Sequence, residues 1–132
     1  MSQDFYTYSF EKLEVWQLAR QLRKDIYKVS SQFPKEELFG LTSQVRRSTN
    51  SICDNLAEGS GRATNIDKAK YTNMSYTSAL ETINHLIGAY DLNYIDNQKY
   101  TQLRKQLDEI VNKLNALYKY QLKSEESLKE RL

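Results

Sequence analysis

The chain is poor in the residues that interrupt regular structure: it has 4 Gly and 1 Pro in 132 residues. Average usage would supply about nine Gly and six or seven Pro at this length. Turns draw on both residues, so the sequence predicts few turns and long regular elements. That excludes an all-β sandwich, which needs a turn signal every ten residues or so. No G-x-G-x-x-G or G-x-x-x-x-G-K stretch occurs, so a glycine-rich phosphate loop is excluded as well. Cys53 is the single cysteine and has no partner in the chain for a disulfide. There is no apolar N-terminal run and no apolar stretch near 18 residues, so the expectation is a soluble, cytoplasmic protein with no membrane partner. Net charge is small. Lys and Arg total 19 and Asp and Glu 17, a net +2, too balanced to advertise nucleic-acid or membrane binding.

What is present is helical periodicity. After a polar and aromatic N-terminal arm, residues 1–9, Val15, Ala19, Leu22, Ile26, Val29 and Phe33 are spaced 4, 3, 4, 3, 4. They predict a helix over 10–32, with Ser9 as N-cap and Pro34 as its stop. A second helix is expected over 35–58. Its seam is Leu38, Leu41, Val45, Ser48, Ile52 and Asn55, with Glu36 and Glu37 at its positive end. Gly40 falls inside that range, and Gly59 and Gly61 are expected as C-terminal caps. A third helix over 66–94 is capped by Thr64 or Asn65. It carries Tyr76, Ala79, Leu80, Ile83, Leu86, Ile87, Tyr90 and Tyr94, with Gly88 in its interior. Asp96-Asn97 reads as a turn, and a fourth helix over 98–123 follows the row Tyr100, Leu103, Leu107, Ile110, Leu114, Leu117. Residues 124–132 are a charged tail. The expected architecture is all-α: one antiparallel up-down-up-down four-helix bundle spanning residues 10–123.

The residues that could carry chemistry are sparse. His85 is the only histidine and Glu81 precedes it by four residues. That is not the Glu-x-x-His spacing of a di-iron bundle, and one His with one Cys cannot build a zinc site. No metal and no cofactor is expected. Cys53 lies late in a helix, away from the N-terminal end that would activate a thiol, and reads as a small packing residue. No catalytic set results.

Polar residues do collect where a bundle helix would carry Leu or Ala. Ser48 and Asn55 share one row of helix two, Arg47, Ser51 and Glu58 the next, and Ser78 and Glu81 face them from helix three. Buried polar groups must be paired or they cost a few kcal/mol each, roughly. A cluster of Arg47, Asn55, Glu58, Arg62, Ser78 and Glu81 is therefore either a register-fixing network or a small anion or ligand site. Arg46, Arg47, Arg62, Lys68 and Lys70, five cations against three acids over residues 44–70, form a modest basic patch that could contact RNA or DNA. The chain has 10 Tyr, which could stack on bases, although Tyr76, Tyr90, Tyr94, Tyr100 and Tyr118 fall on or beside core stripes. Tyr6, Tyr8 and Tyr120, near the chain ends, could instead pack on a neighbouring subunit.

Phe10-Glu11-Lys12-Leu13-Glu14-Val15-Trp16 and Phe33-Pro34-x-x-Glu37-x-x-Gly40-Leu41-x-x-Gln44-x-Arg46-Arg47 are followed by Ser51-Ile52-x-x-Asn55-Leu56-Ala57-Glu58-Gly59-x-Gly61-Arg62 and Ser78-x-x-Glu81. In this order the motifs resemble the four-helix-bundle family of 23S rRNA-intervening-sequence proteins. One departure is Cys53, where the family usually has proline; helix two is expected to run straighter there. The resemblance implies bacterial members, some encoded within insertions of the large-subunit ribosomal RNA gene, and an up-down bundle that assembles as a homopentamer. It also implies likeness in fold to accessory proteins of diversity-generating retroelements, which bind nucleic acid and partner a reverse transcriptase. No enzymatic activity comes with it. The expectation is a non-enzymatic homo-oligomer associated with RNA or DNA. The alternatives are an accessory subunit of a nucleic-acid enzyme, or a small-ligand protein using the helix two/helix three cluster.

Overall fold

The computed structural model describes residues 4–123. Four helices account for most of it: α1 (Glu14–Ser30), α2 (Leu41–Ser60), α3 (Asn65–Asp91) and α4 (Asn97–Lys123). They run up, down, up and down. α1 packs on α2 and α4, and α3 packs on the same two neighbours, with the α2–α3 interface the most extensive. The expected bundle is what forms. The expected charged tail and residues 1–3 of the arm lie outside the described residues.

The core brings together most of the expected seams, but Leu38 of the second and Leu80, Ile87 and Tyr90 of the third stand exposed on the outer side. Ala19, Leu22 and Ile26 of α1, Val45 and Ile52 of α2, Ala79 and Leu86 of α3, and Leu103, Leu107, Ile110 and Leu114 of α4 are all buried. Burial of such side chains stabilises by about 1.5–3 kcal/mol each before entropy is counted. Cys53 is buried among them, inside the continuous helix α2.

The helix ends differ from the expectation in four places. Ser9 does not cap α1: Ser9–Lys12 forms a separate 3-10 turn, closed by Tyr8 N–H donating to the Glu11 carboxylate at 2.7 Å, and α1 starts at Glu14. Helix two does not begin at residue 35. Lys35–Glu37 is a 3-10 turn, and Gly40 is the N-cap of α2 instead of an interior residue. Gly59 does not stop α2 but lies in its last turn, with Gly61 as the C-cap. A Cβ at Gly59 would stand 2.8 Å from the Tyr71 Cβ, so close approach of α2 and α3 is what requires glycine there. Gly88, by contrast, has no atom within 4 Å of a Cβ, so no tight neighbour explains it.

α3 stops at Asp91, three residues before the expected end. Asn93 takes φ 63°, and Tyr94 N–H donates to Ala89 O at 2.8 Å and Asn93 N–H to Tyr90 O at 3.0 Å. That is a Schellman closure with asparagine in the left-handed position. At the start of α3, Thr64 Oγ1 accepts from Asp67 N–H at 3.1 Å, the expected cap. Asp96 Oδ1 accepts from Lys99 N–H at 2.7 Å and so caps α4.

The corner between α1 and α2 has a specific construction. Glu37 Oε1 accepts from Leu41 N–H at 3.0 Å, and Tyr94 Oη donates to Glu37 Oε2 at 2.8 Å. The Phe33 and Tyr94 rings meet at 5.6 Å. One carboxylate thus satisfies an orphan amide of α2 and ties this corner to the α3–α4 corner. The Leu41 amide and then the Tyr94 hydroxyl hold the Glu37 carboxyl below its ordinary range.

Candidate functional site

The facing sides of α2 and α3 are small and hydroxylated, because apolar bulk would hold the helices apart. Ser48 and Thr82 hydroxyls are 2.8 Å apart, Ser51 and Ser78 hydroxyls also 2.8 Å, and Ser75 Oγ donates to Ile52 O at 2.9 Å. Ser48, Ser75 and Thr82 are completely buried. Asn55 Nδ2 donates to Ser51 O at 2.9 Å and to Ser51 Oγ at 3.0 Å. Each hydroxyl finds a partner, which is the condition for burying it without penalty. Thr82 and Ser75 were not among the expected site residues. Their 3, 4 spacing with Ser78 on one face of helix three was the available signal.

At the solvent edge of this seam the Arg47 guanidinium pairs with Glu81 Oε2, and its Nε donates to Gln44 Oε1 at 3.0 Å. His85 Nε2 stands 3.3 Å from the same Glu81 oxygen. Partial burial works to raise the Glu81 pKa. The hydrogen bonds and charges of Arg47 and His85 outweigh it and hold the carboxyl below its usual range.

The six residues of the expected cluster therefore separate. Arg47 meets Glu81, and Ser78 meets Asn55 through Ser51, but Glu58 and Arg62 join neither group. Both are exposed near the end of α2, and the Arg62 guanidinium lies 5.0 Å over the Tyr71 ring. The paired groups bridge α2 and α3.

The five cations of the basic patch are also divided. Arg46 is half-buried, with its Nε donating to Ser30 Oγ at 2.8 Å, its Nη2 to Tyr27 O at 3.3 Å, and its guanidinium 4.6 Å over the Tyr27 ring. Lys68 is buried, 3% exposed, and so is not presented to a phosphate backbone. Arg47, Arg62 and Lys70 are exposed. Burial pushes the Cys53 thiol up to about 11, with Arg23 offsetting it only in part, so at neutral pH the group is a protonated packing residue. Among the described residues, no three His, Cys, Asp or Glu side chains are placed to hold a metal, and no helix is long and apolar enough to cross a membrane.

The fold and this seam define an all-α antiparallel bundle whose second and third helices are joined by buried hydroxyl pairs under an Arg–Glu–His group. The chain belongs to the 23S rRNA-intervening sequence protein family, whose sequence pattern matches residues 11–116. Among solved structures it is similar in fold to a protein of unknown function from the S23 ribosomal protein family of Bacteroides thetaiotaomicron VPI-5482. That likeness has a TM-score of 0.72 at 23% identity and covers 80% of this chain and 98% of that one. None of the curated proteins matches the chain.

Proposed function

We propose that the protein is a non-enzymatic assembly protein that works as a homo-oligomer, a pentamer by family resemblance, in association with RNA or DNA. One observation carries the assembly: large apolar side chains remain on the surface of a bundle whose core is already complete. Phe39 is 92% exposed and Ile66 75%, and Leu38, Leu80, Ile87 and Leu92 are exposed too. Ile66, Leu80 and Ile87 lie at multiples of seven residues along the outer side of α3, the repeat that a helix in a neighbouring copy would meet. Exposed apolar side chains arranged as a patch mark interaction surfaces.

The nucleic-acid part follows from multiplication. Each copy offers Arg47, Arg62 and Lys70 at its surface. Repeated around an assembly, the exposed Arg62 and Lys70 of each copy would form a set of basic positions that meets phosphate in a salt-dependent way. Mutual engagement of Arg47, Glu81 and His85 favours a structural role for these groups over catalysis. Filter binding of RNA and of DNA at about 50 mM salt tests the association, with retention expected to fall steeply as salt rises. Absence of binding at low salt, or binding unchanged when Arg62 and Lys70 are both replaced by Ala, contradicts it.

A further inference from the structure

A cleft of about 340 Å³ opens beside the corner where α1 ends and α2 begins. Arg47, Glu81 and His85 do not line it, so it is distinct from the seam described above. Phe33, Pro34 and Leu38 supply its apolar surface, Ser30, Ser31 and Thr42 bring hydroxyls, and Lys35 and Arg46 bring charge. Both charges are positive, and no carboxylate lines the cleft. Glu37, the acid of this corner, is committed to the Leu41 amide and the Tyr94 hydroxyl.

Thr42 is the residue that points to a ligand. It is 5% exposed, yet its hydroxyl has no hydrogen-bond partner among the described residues. Elsewhere in the helices a buried threonine bonds back to the carbonyl four residues earlier: Thr49 to Val45 O at 2.7 Å, and Thr82 to Ser78 O at 2.9 Å. Thr42 is only the second residue of α2, so no helical turn stands behind it to supply that carbonyl. Its hydroxyl is left on the wall of the cleft, at the positive end of the helix. Buried hydroxyls are ordinarily paired, so this one calls for a partner from outside the chain. Arg46 is fixed beside it, with Nε donating to Ser30 Oγ at 2.8 Å and Nη2 to Tyr27 O at 3.3 Å. A guanidinium carries more N–H donors than these, so others stay available. Lys35 is exposed at the rim, with no hydrogen bond or ion pair among the described residues.

Two positive charges and an unpaired hydroxyl over an apolar floor complement a doubly charged head on a compact apolar body. The volume is at the small end of ligand pockets, which run from roughly 300 to 1,000 Å³. We propose that this cleft binds a small phosphate monoester, with its phosphate at Thr42, Arg46 and Lys35 and its carbon body against Phe33, Pro34 and Leu38. Neither the Ile66, Leu80 and Ile87 stripe nor Arg62 and Lys70 line the cleft, so the site does not depend on assembly or on nucleic-acid binding.

Isothermal titration of the full chain with phenyl phosphate, inorganic phosphate and phenol tests the proposal, using Thr42→Val, which keeps the shape and removes the hydroxyl, and Lys35→Ala, which removes an exposed charge. Phenyl phosphate is expected to bind with one site per chain. It should bind at least about tenfold more tightly than phenol or inorganic phosphate, because it alone uses both the charges and the apolar floor. Thr42→Val should weaken phenyl phosphate about fivefold, the worth of one hydrogen bond to a charged group. It should not lower the urea midpoint, since the hydroxyl it removes has no partner in the described chain. Lys35→Ala should weaken binding by a similar factor and flatten its salt dependence. The Lys35→Ala and ligand comparisons decide the matter should Thr42→Val fail to fold. Phenol or inorganic phosphate binding as tightly as phenyl phosphate, phenyl phosphate affinity unchanged in both variants, or no phenyl phosphate binding at millimolar concentration would each overturn the proposal.

Discussion

Glu37 reaches the start of the second helix across Gly40: a Cβ on Gly40 would stand 2.6 Å from Glu37 Oε1, the oxygen that accepts the Leu41 amide. The two residues form one device. The glycine leaves room and the carboxylate fills it, and the same carboxylate receives the Tyr94 hydroxyl from the opposite corner. Within the family-like stretch Phe33-Pro34-x-x-Glu37-x-x-Gly40-Leu41, these residues therefore serve the construction of a corner.

Gly40→Ala is expected to displace the Glu37 carboxylate and to lose about 1 kcal/mol of stability, the usual worth of a helix cap. Glu37→Ala should cost a similar amount. Because both changes remove the same contact, the double variant should cost clearly less than the sum. Urea unfolding of the four proteins measures this, and strict additivity would contradict the coupling.

Acid should weaken the fold through the same group. The Glu37 and Glu81 carboxyls are held below their ordinary value of 4.5 in the folded chain. A lowered folded-state pKa contributes stability that is complete above the unfolded value and lost as pH falls through the folded one. The urea midpoint should therefore fall as pH drops below about 4.5, and should fall less in Glu37→Gln. An identical acid profile in that variant would contradict the role given to Glu37.

The hydroxyl pairs of the α2–α3 seam predict an unusual response to substitution. Ser75→Ala should cost about 1 kcal/mol, because it strips the Ile52 carbonyl of a buried partner. Ser48→Leu should cost more, about 1–3 kcal/mol, because added bulk forces apart helices packed on small side chains. A stabilising Ser48→Leu would show that the seam tolerates ordinary apolar packing.

Cys53 should be inert in the folded state. With its thiol pushed up to about 11, only about a thousandth of it is ionised at pH 8. Alkylation by iodoacetamide should be slow in buffer and fast in denaturant. Rapid labelling of the native chain would contradict the burial.

Much of the fold was legible because helical seams repeat: Val15, Ala19, Leu22 and Ile26 in α1, and Leu103, Leu107, Ile110 and Leu114 in α4, are buried as their spacing demands. The Ser51–Ser78 and Arg47–Glu81 partnerships were legible in outline, since each residue lay on a facing row. What was not legible depended on contacts between elements. Gly40 and Gly59 read as a helix interior and a helix stop, yet one makes room for Glu37 and the other for Tyr71. Lys68 read as a surface cation because residue type alone does not reveal that neighbouring elements bury it.

Sedimentation equilibrium of the full chain at micromolar concentration tests the assembly most directly. The account predicts a species of five times the 15.5 kDa chain mass, dissociating when Ile66, Leu80 and Ile87 are replaced together by Lys. A single 15.5 kDa monomer across the concentration range would contradict it.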